Sequence, residues 1–173
     1  STIKSVVVVW LLPPLGGLKQ SDTIFPLTLH TVMESFSFVV SVLVFAVSWH
    51  AYSRERAGNL MILACGFLAV ALLDFGHTLS YRGMPDFVTP SSPQKAIIFW
   101  LAARYVAALT LLTIALRPWQ PLARPRDRYR LMLWALLVTA AVFVSELYLP
   151  DFWPTMFVPG VGLTGLKIAA EYS

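Results

Sequence analysis

Long apolar runs separated by short polar ones organise this chain. A hydrocarbon core about 30 Å thick is crossed by about 20 apolar residues in helix. Five stretches meet that length in whole or in part: Ile3 to about Leu15, about Phe25 to Tyr52, about Asn59 to Tyr81, about Lys95 to Leu116, and about Tyr129 to Leu149. The first is short and bent by Pro13 and Pro14, and reads as the outer part of a helix that begins upstream. A sixth begins near Leu163 and stops before it can span. The pattern predicts an all-α, polytopic transmembrane bundle of about five to six helices. Residues 1–173 form one membrane-embedded domain in this reading, with its first and last helices incomplete.

Composition agrees with the pattern. Hydrophobic residues make up 57% and charged residues 13%, with a mean hydropathy of +0.69; a soluble domain carries about a quarter charged residues. A net charge of +4 is too small to indicate a nucleic-acid partner. Cys65 is the one cysteine, so an internal disulfide and a cysteine-based metal motif are both excluded. No phosphate-binding loop, G-x-G-x-x-G or H-E-x-x-H occurs.

The distribution of charge carries more than its sum. Arg54 and Arg56 lie between the second and third stretches, and Arg117, Arg124, Arg126, Arg128 and Arg130 between the fourth and fifth. Basic residues accumulate on the cytoplasmic side, so these connections are expected inside. The segments around 18–24, 82–94 and 150–162 are expected outside. The basic loop fixes topology and meets anionic lipid headgroups, making membrane lipids the first expected partners.

Ionisable residues inside apolar stretches are costly and mark functional sites by default. At about 1.5 Å of rise per residue, His30, Glu34, Asp74, His77, Arg104 and Glu146 all fall in the outer half of their helices. His30 and Glu34 are spaced i, i+4; Asp74 and His77 are spaced i, i+3, so each pair shares a helix face. A short loop makes the two helices antiparallel neighbours, so the pairs can meet. Three readings stand. Two imidazoles and two carboxylates suit a divalent metal, with His30, Glu34, Asp74 and His77 as ligands, and the histidines alone suit haem. An organic ligand or a proton is the second reading. The third is structural, with Glu34 pairing Arg104 and the polar groups only fixing helix packing.

The blocks L-L-D-F-G-H-T-L-S-Y-R-G-M-P (Leu72–Pro85), L-H-T-V-M-E-S-F-S (Leu29–Ser37), F-W-L-A-A-R-Y (Phe99–Tyr105) and P-G-V-G-L-T-G-L-K-I-A-A-E-Y (Pro159–Tyr172) resemble the third class of bacterial membrane-associated sensor domains. The resemblance spans most of the chain after about residue 25. It implies a multi-pass sensory module of the bacterial inner membrane, itself not an enzyme. The same polypeptide would continue into cytoplasmic output domains, typically a histidine kinase or a diguanylate cyclase. The family pattern falls on His30, Glu34, Asp74, His77, Trp100, Arg104, Lys167 and Glu171.

The expectation is therefore a sensor that binds a ligand, metal or haem at an outer polar site and transmits its state inward. Arg104 balances the carboxylates, and Trp100, Glu146, Lys167 and Glu171 join the ligand-binding set. A second copy of the chain is an expected partner. The alternative is a structural anchor or dimerisation module whose polar cluster only specifies packing.

Overall fold

The computed structural model describes residues 27–158 and 162–172, with the side chains of Leu27, Thr28, Pro150, Glu171 and Tyr172 outside that description. The expected helix over Ile3 to Leu15 lies outside the described residues. Two compact units divide the chain, residues 1–32 and 33–173. Of the first, the described part is the opening of the helix α1.

Among the described residues, four helices are long and apolar enough to cross a membrane: α1 (Leu27–His50), α2 (Asn59–Ser80), α3 (Pro93–Leu116) and α4 (Asp127–Tyr148). A 3₁₀ turn at Pro150–Phe152 follows. A two-stranded antiparallel ribbon comes next, β1 (Phe157–Val158) on β2 (Gly162–Leu163), with Phe157 opposite Leu163. The short helix α5 (Gly165–Tyr172) begins where Thr164 Oγ1 accepts from the Lys167 amide, an N-cap contact. The apolar stretches thus mark the helices to within about two residues at each described end. The start of α3 moves outward to Pro93, because Ser92 caps it through the Lys95 amide and proline is tolerated in a first turn.

The second unit is centred on α2. It packs along α3, with α4 on another side, around Val70, Leu73, Phe99 and Ala103, and Val142 and Phe143 close this core. Two glycines allow the approach. A Cβ at Gly66 would collide with Oγ1 and Cγ2 of Thr110, and one at Gly76 would stand 2.8 Å from the Phe143 ring. Small residues at the crossing let membrane helices pack backbone to backbone. From Met33 onward α1 is held more sparingly. Its two buried residues are Ser41 and Ser48, while Met33, Phe36, Val39, Leu43 and Val47 are exposed. Phe38 meets Phe75 edge-on at 5.6 Å, and Trp49 meets Tyr129 at 5.9 Å.

The connections segregate by end. The Gly58 amide donates to Gln120 O, Asn59 Nδ2 donates to the carbonyls of Ile114 and Arg117, and Ala57 bridges to Pro121. Both arginine-bearing connections therefore share one end of the bundle. At the other end, Gln94 fastens the segment after α4. Its Nε2 donates to Pro154 O at 2.9 Å, and its Oε1 accepts from the amides of Met156 and Phe157 at 2.7 and 3.1 Å. Ile98 and Leu101 on α3 then pack with Met156, and with Trp100, Trp153 and Ala170, which seats α5 against α3.

Candidate functional site

The polar cluster grows out of the register between α2 and its neighbours. Asp74 is fully buried on α2, where a lone carboxylate would be strongly disfavoured. Arg104 of α3 supplies the counter-charge. Its Nη2 donates to Oδ1 at 2.7 Å and to Oδ2 at 2.8 Å. Ser37 Oγ on α1 adds a donor to Oδ2 at 3.4 Å. Thr78 Oγ1 returns to the Asp74 carbonyl at 2.9 Å, one turn along the same helix. The expected pair of Arg104 with Glu34 is corrected here. Arg104 reaches Asp74 because α2 and α3 are the tightly packed pair, which brings its Nη2 to the fully buried carboxylate.

Glu34 faces His77 instead. One turn beyond Asp74, His77 Nδ1 lies 2.8 Å from the carbonyl of Ala96 on α3. A carbonyl only accepts, so Nδ1 carries the proton. Nε2 stands 3.8 Å from Oε1 of Glu34. The Glu34 side chain keeps about a quarter of its surface exposed, while that of His77 keeps under a tenth. Tyr81 stands edge-on to the imidazole with ring centroids 6.3 Å apart. An imidazole whose Nδ1 is anchored to a backbone carbonyl is the arrangement that orients Nε2 toward a ligand.

A second line of contacts runs outward from Arg104. Its guanidinium lies 6.0 Å from the centre of the Trp100 ring, one helical turn away on α3. The Lys167 ammonium, buried on α5, lies 5.2 Å from the same ring. Cations over an indole face are attracted by its quadrupole. Tyr105 adds a hydrogen bond from its hydroxyl to the Ala170 carbonyl at 2.7 Å. Asp74, Arg104, Trp100 and Lys167 are therefore brought together in a line from α2 to α5.

Glu146 and Glu171 fall on other helices. His30 stands on α1 one turn before Glu34 by its i, i+4 spacing. Glu146 is buried on α4. The Lys95 ammonium donates to the carbonyls of Phe87 and Thr89 and to Thr89 Oγ1, so Lys95 secures the connection before α3. Glu171 falls on α5 with its side chain outside the described residues. Sequence reasoning gave no role to Ser37, Thr78 or the Ala96 carbonyl. Ser37 was within reach, since Ser37 and Ser41 are spaced i, i+4 and small polar residues line contacts between membrane helices. A backbone carbonyl such as that of Ala96 leaves no such trace.

Comparison with curated proteins and with solved structures returned no match. Against the known families, residues 24–173 match MASE3, described as a membrane-associated sensor domain. That span takes in every described helix and both lines of polar contacts, and the chain belongs to this family of multi-pass membrane sensor domains.

Proposed function

We propose that this domain senses a divalent cation of the zinc, iron or manganese type, held between His77 Nε2 and Glu34. The observation that carries the reading is the committed Nδ1 of His77, which leaves Nε2 aimed at a carboxylate 3.8 Å away. Two donors about 2.0–2.1 Å from a tetrahedral zinc stand about 3.3 Å apart, so a small inward shift brings both into range. Asp74 serves as the counter-ion of Arg104 in this scheme, since both of its oxygens are already engaged. An imidazole opposite a carboxylate suits a bare borderline ion better than the axial pair of a haem.

The end bearing His77 faces outward if the arginine-bearing end is cytoplasmic, as the charge asymmetry supports. Bound cation would hold α1 against α2, and its loss would release a helix with little else buried. A ligand moves such an equilibrium only through different affinity for the two states. A cytoplasmic output module in the same polypeptide, of the histidine kinase or diguanylate cyclase kind, would read the change.

The test is metal analysis of the purified protein in nanodiscs, with thermal stability followed during Zn²⁺ and Mn²⁺ titration. Saturable stabilisation that disappears in Glu34→Gln and His77→Gln supports the reading. Metal-independent stability in the unmodified chain, or unchanged metal response in both variants, discards it. A second reading is favoured by one observation, the saturation of Asp74 by Arg104. Under it, the cluster only specifies packing, and the same variants lower stability with no metal response to lose.

A further inference from the structure

The inner half of the bundle carries a crevice that the sensing scheme does not use. It opens between α3 and α4 and is floored by α2, with a volume of about 270 Å³. Ile62, Gly66, Leu109, Leu131, Trp134 and Val138 are among its almost entirely apolar walls. Leu109 and Trp134 are more than half exposed at its lips, so it opens sideways, toward the space a bilayer fills. Between Leu131 and Val138 the α4 wall is about 10 Å long.

The crevice ends beside the most basic part of the molecule. Its innermost residues, Ile62, Thr113 and Leu131, lie within one turn of the connections bearing Arg54, Arg56, Arg117, Arg124, Arg126, Arg128 and Arg130. Seven arginines meet two carboxylates there, Glu55 and Asp127. Arg130 is tied to Asp127 at 3.0 Å, and the Arg128 guanidinium stacks near Trp49, Tyr52 and Tyr129. Arg117, Arg124 and Arg126 flank the same end, the last two on the surface.

We propose that this crevice is a binding site for an anionic phospholipid, with one acyl chain between α3 and α4 and the phosphate among Arg117, Arg124 and Arg126. The occupant follows from the two halves of the site together. A slot lined by apolar side chains and open to the bilayer takes a hydrocarbon chain. A basic rim at its inner mouth selects chains that carry a negative headgroup. A zwitterionic lipid satisfies only the first half. The proposal is independent of the cation site, which lies on the opposite half of α2.

Trp134 reports the occupant directly. Protein reconstituted with acyl-brominated phosphatidylglycerol in a phosphatidylcholine background is compared with brominated phosphatidylcholine in the same background. Trp134→Phe identifies the emission that belongs to the crevice. Quenching of that component at about tenfold lower mole fraction of the anionic lipid is expected. The preference should shrink with added salt and disappear in Arg117→Gln/Arg124→Gln/Arg126→Gln. Ala135→Phe, which fills the slot from α4, should remove high-affinity quenching while the overall helical signal is kept. Equal quenching by both lipids overturns the proposal. So does a preference that survives the triple variant.

Discussion

One nitrogen of Arg104 reaches both carboxylate oxygens of Asp74, at 2.7 and 2.8 Å, across the interface between α2 and α3. The aspartate is fully buried, while 44% of the arginine side chain is exposed. The two partners therefore stand to lose unequally. Removing the arginine strands a buried charge, a change that costs about 3–5 kcal/mol. Arg104→Gln is expected to fall in that range by denaturation in detergent micelles. Asp74→Asn/Arg104→Gln should recover a large part of the loss, because no charge is left stranded. Strictly additive effects in the double variant would contradict a direct pair.

Gly66 makes a separate prediction about packing. Its missing side chain is the space that Thr110 occupies. Gly66→Ala should cost about 1–3 kcal/mol, the usual penalty for overpacking, despite alanine's better helix propensity. Adding Thr110→Ala removes the two atoms that collide and should return part of the stability. If Gly66→Ala alone is neutral or stabilising, the close crossing of α2 and α3 is not as described.

Gln94 makes a third. One side-chain amide satisfies a carbonyl and two backbone amides of the segment 154–157. Gln94→Leu should raise hydrogen exchange at the Met156 and Phe157 amides, with a loss of about 1–3 kcal/mol from the stranded groups. Gln94→Glu keeps the acceptor and loses the donor, so those two amides should stay protected. Similar exchange in both variants would show that Oε1 does not hold them.

The helices were legible in the sequence because lipid demands a run of a given length, and that demand is written in consecutive residues. The α2 prediction of Asn59 to Tyr81 and the structure's Asn59–Ser80 differ by one residue. Pairings between helices were less legible. Depth alone put Glu34 and Arg104 level, yet rotation about the helix axes decides partners, and that rotation is set by contacts such as Gly66 on Thr110. Trp100 and Lys167 came only through family resemblance, since no local spacing joins residues 67 positions apart. The ribbon at 157–163 and the clasp of Gln94 depend on backbone groups every residue has, so composition could not announce them.

The serines of α1 have a practical corollary. From Met33 onward, a helix whose buried residues are Ser41 and Ser48 has little interlocking hydrocarbon to hold it to its neighbours. Its apolar flank stays wetted by whatever solvent surrounds the bundle. Small, aggressive surfactants compete for that flank and peel α1 away before the α2–α3 pair is disturbed. Extraction with native lipid retained, as in polymer-bounded discs, keeps Glu34 beside His77 through purification.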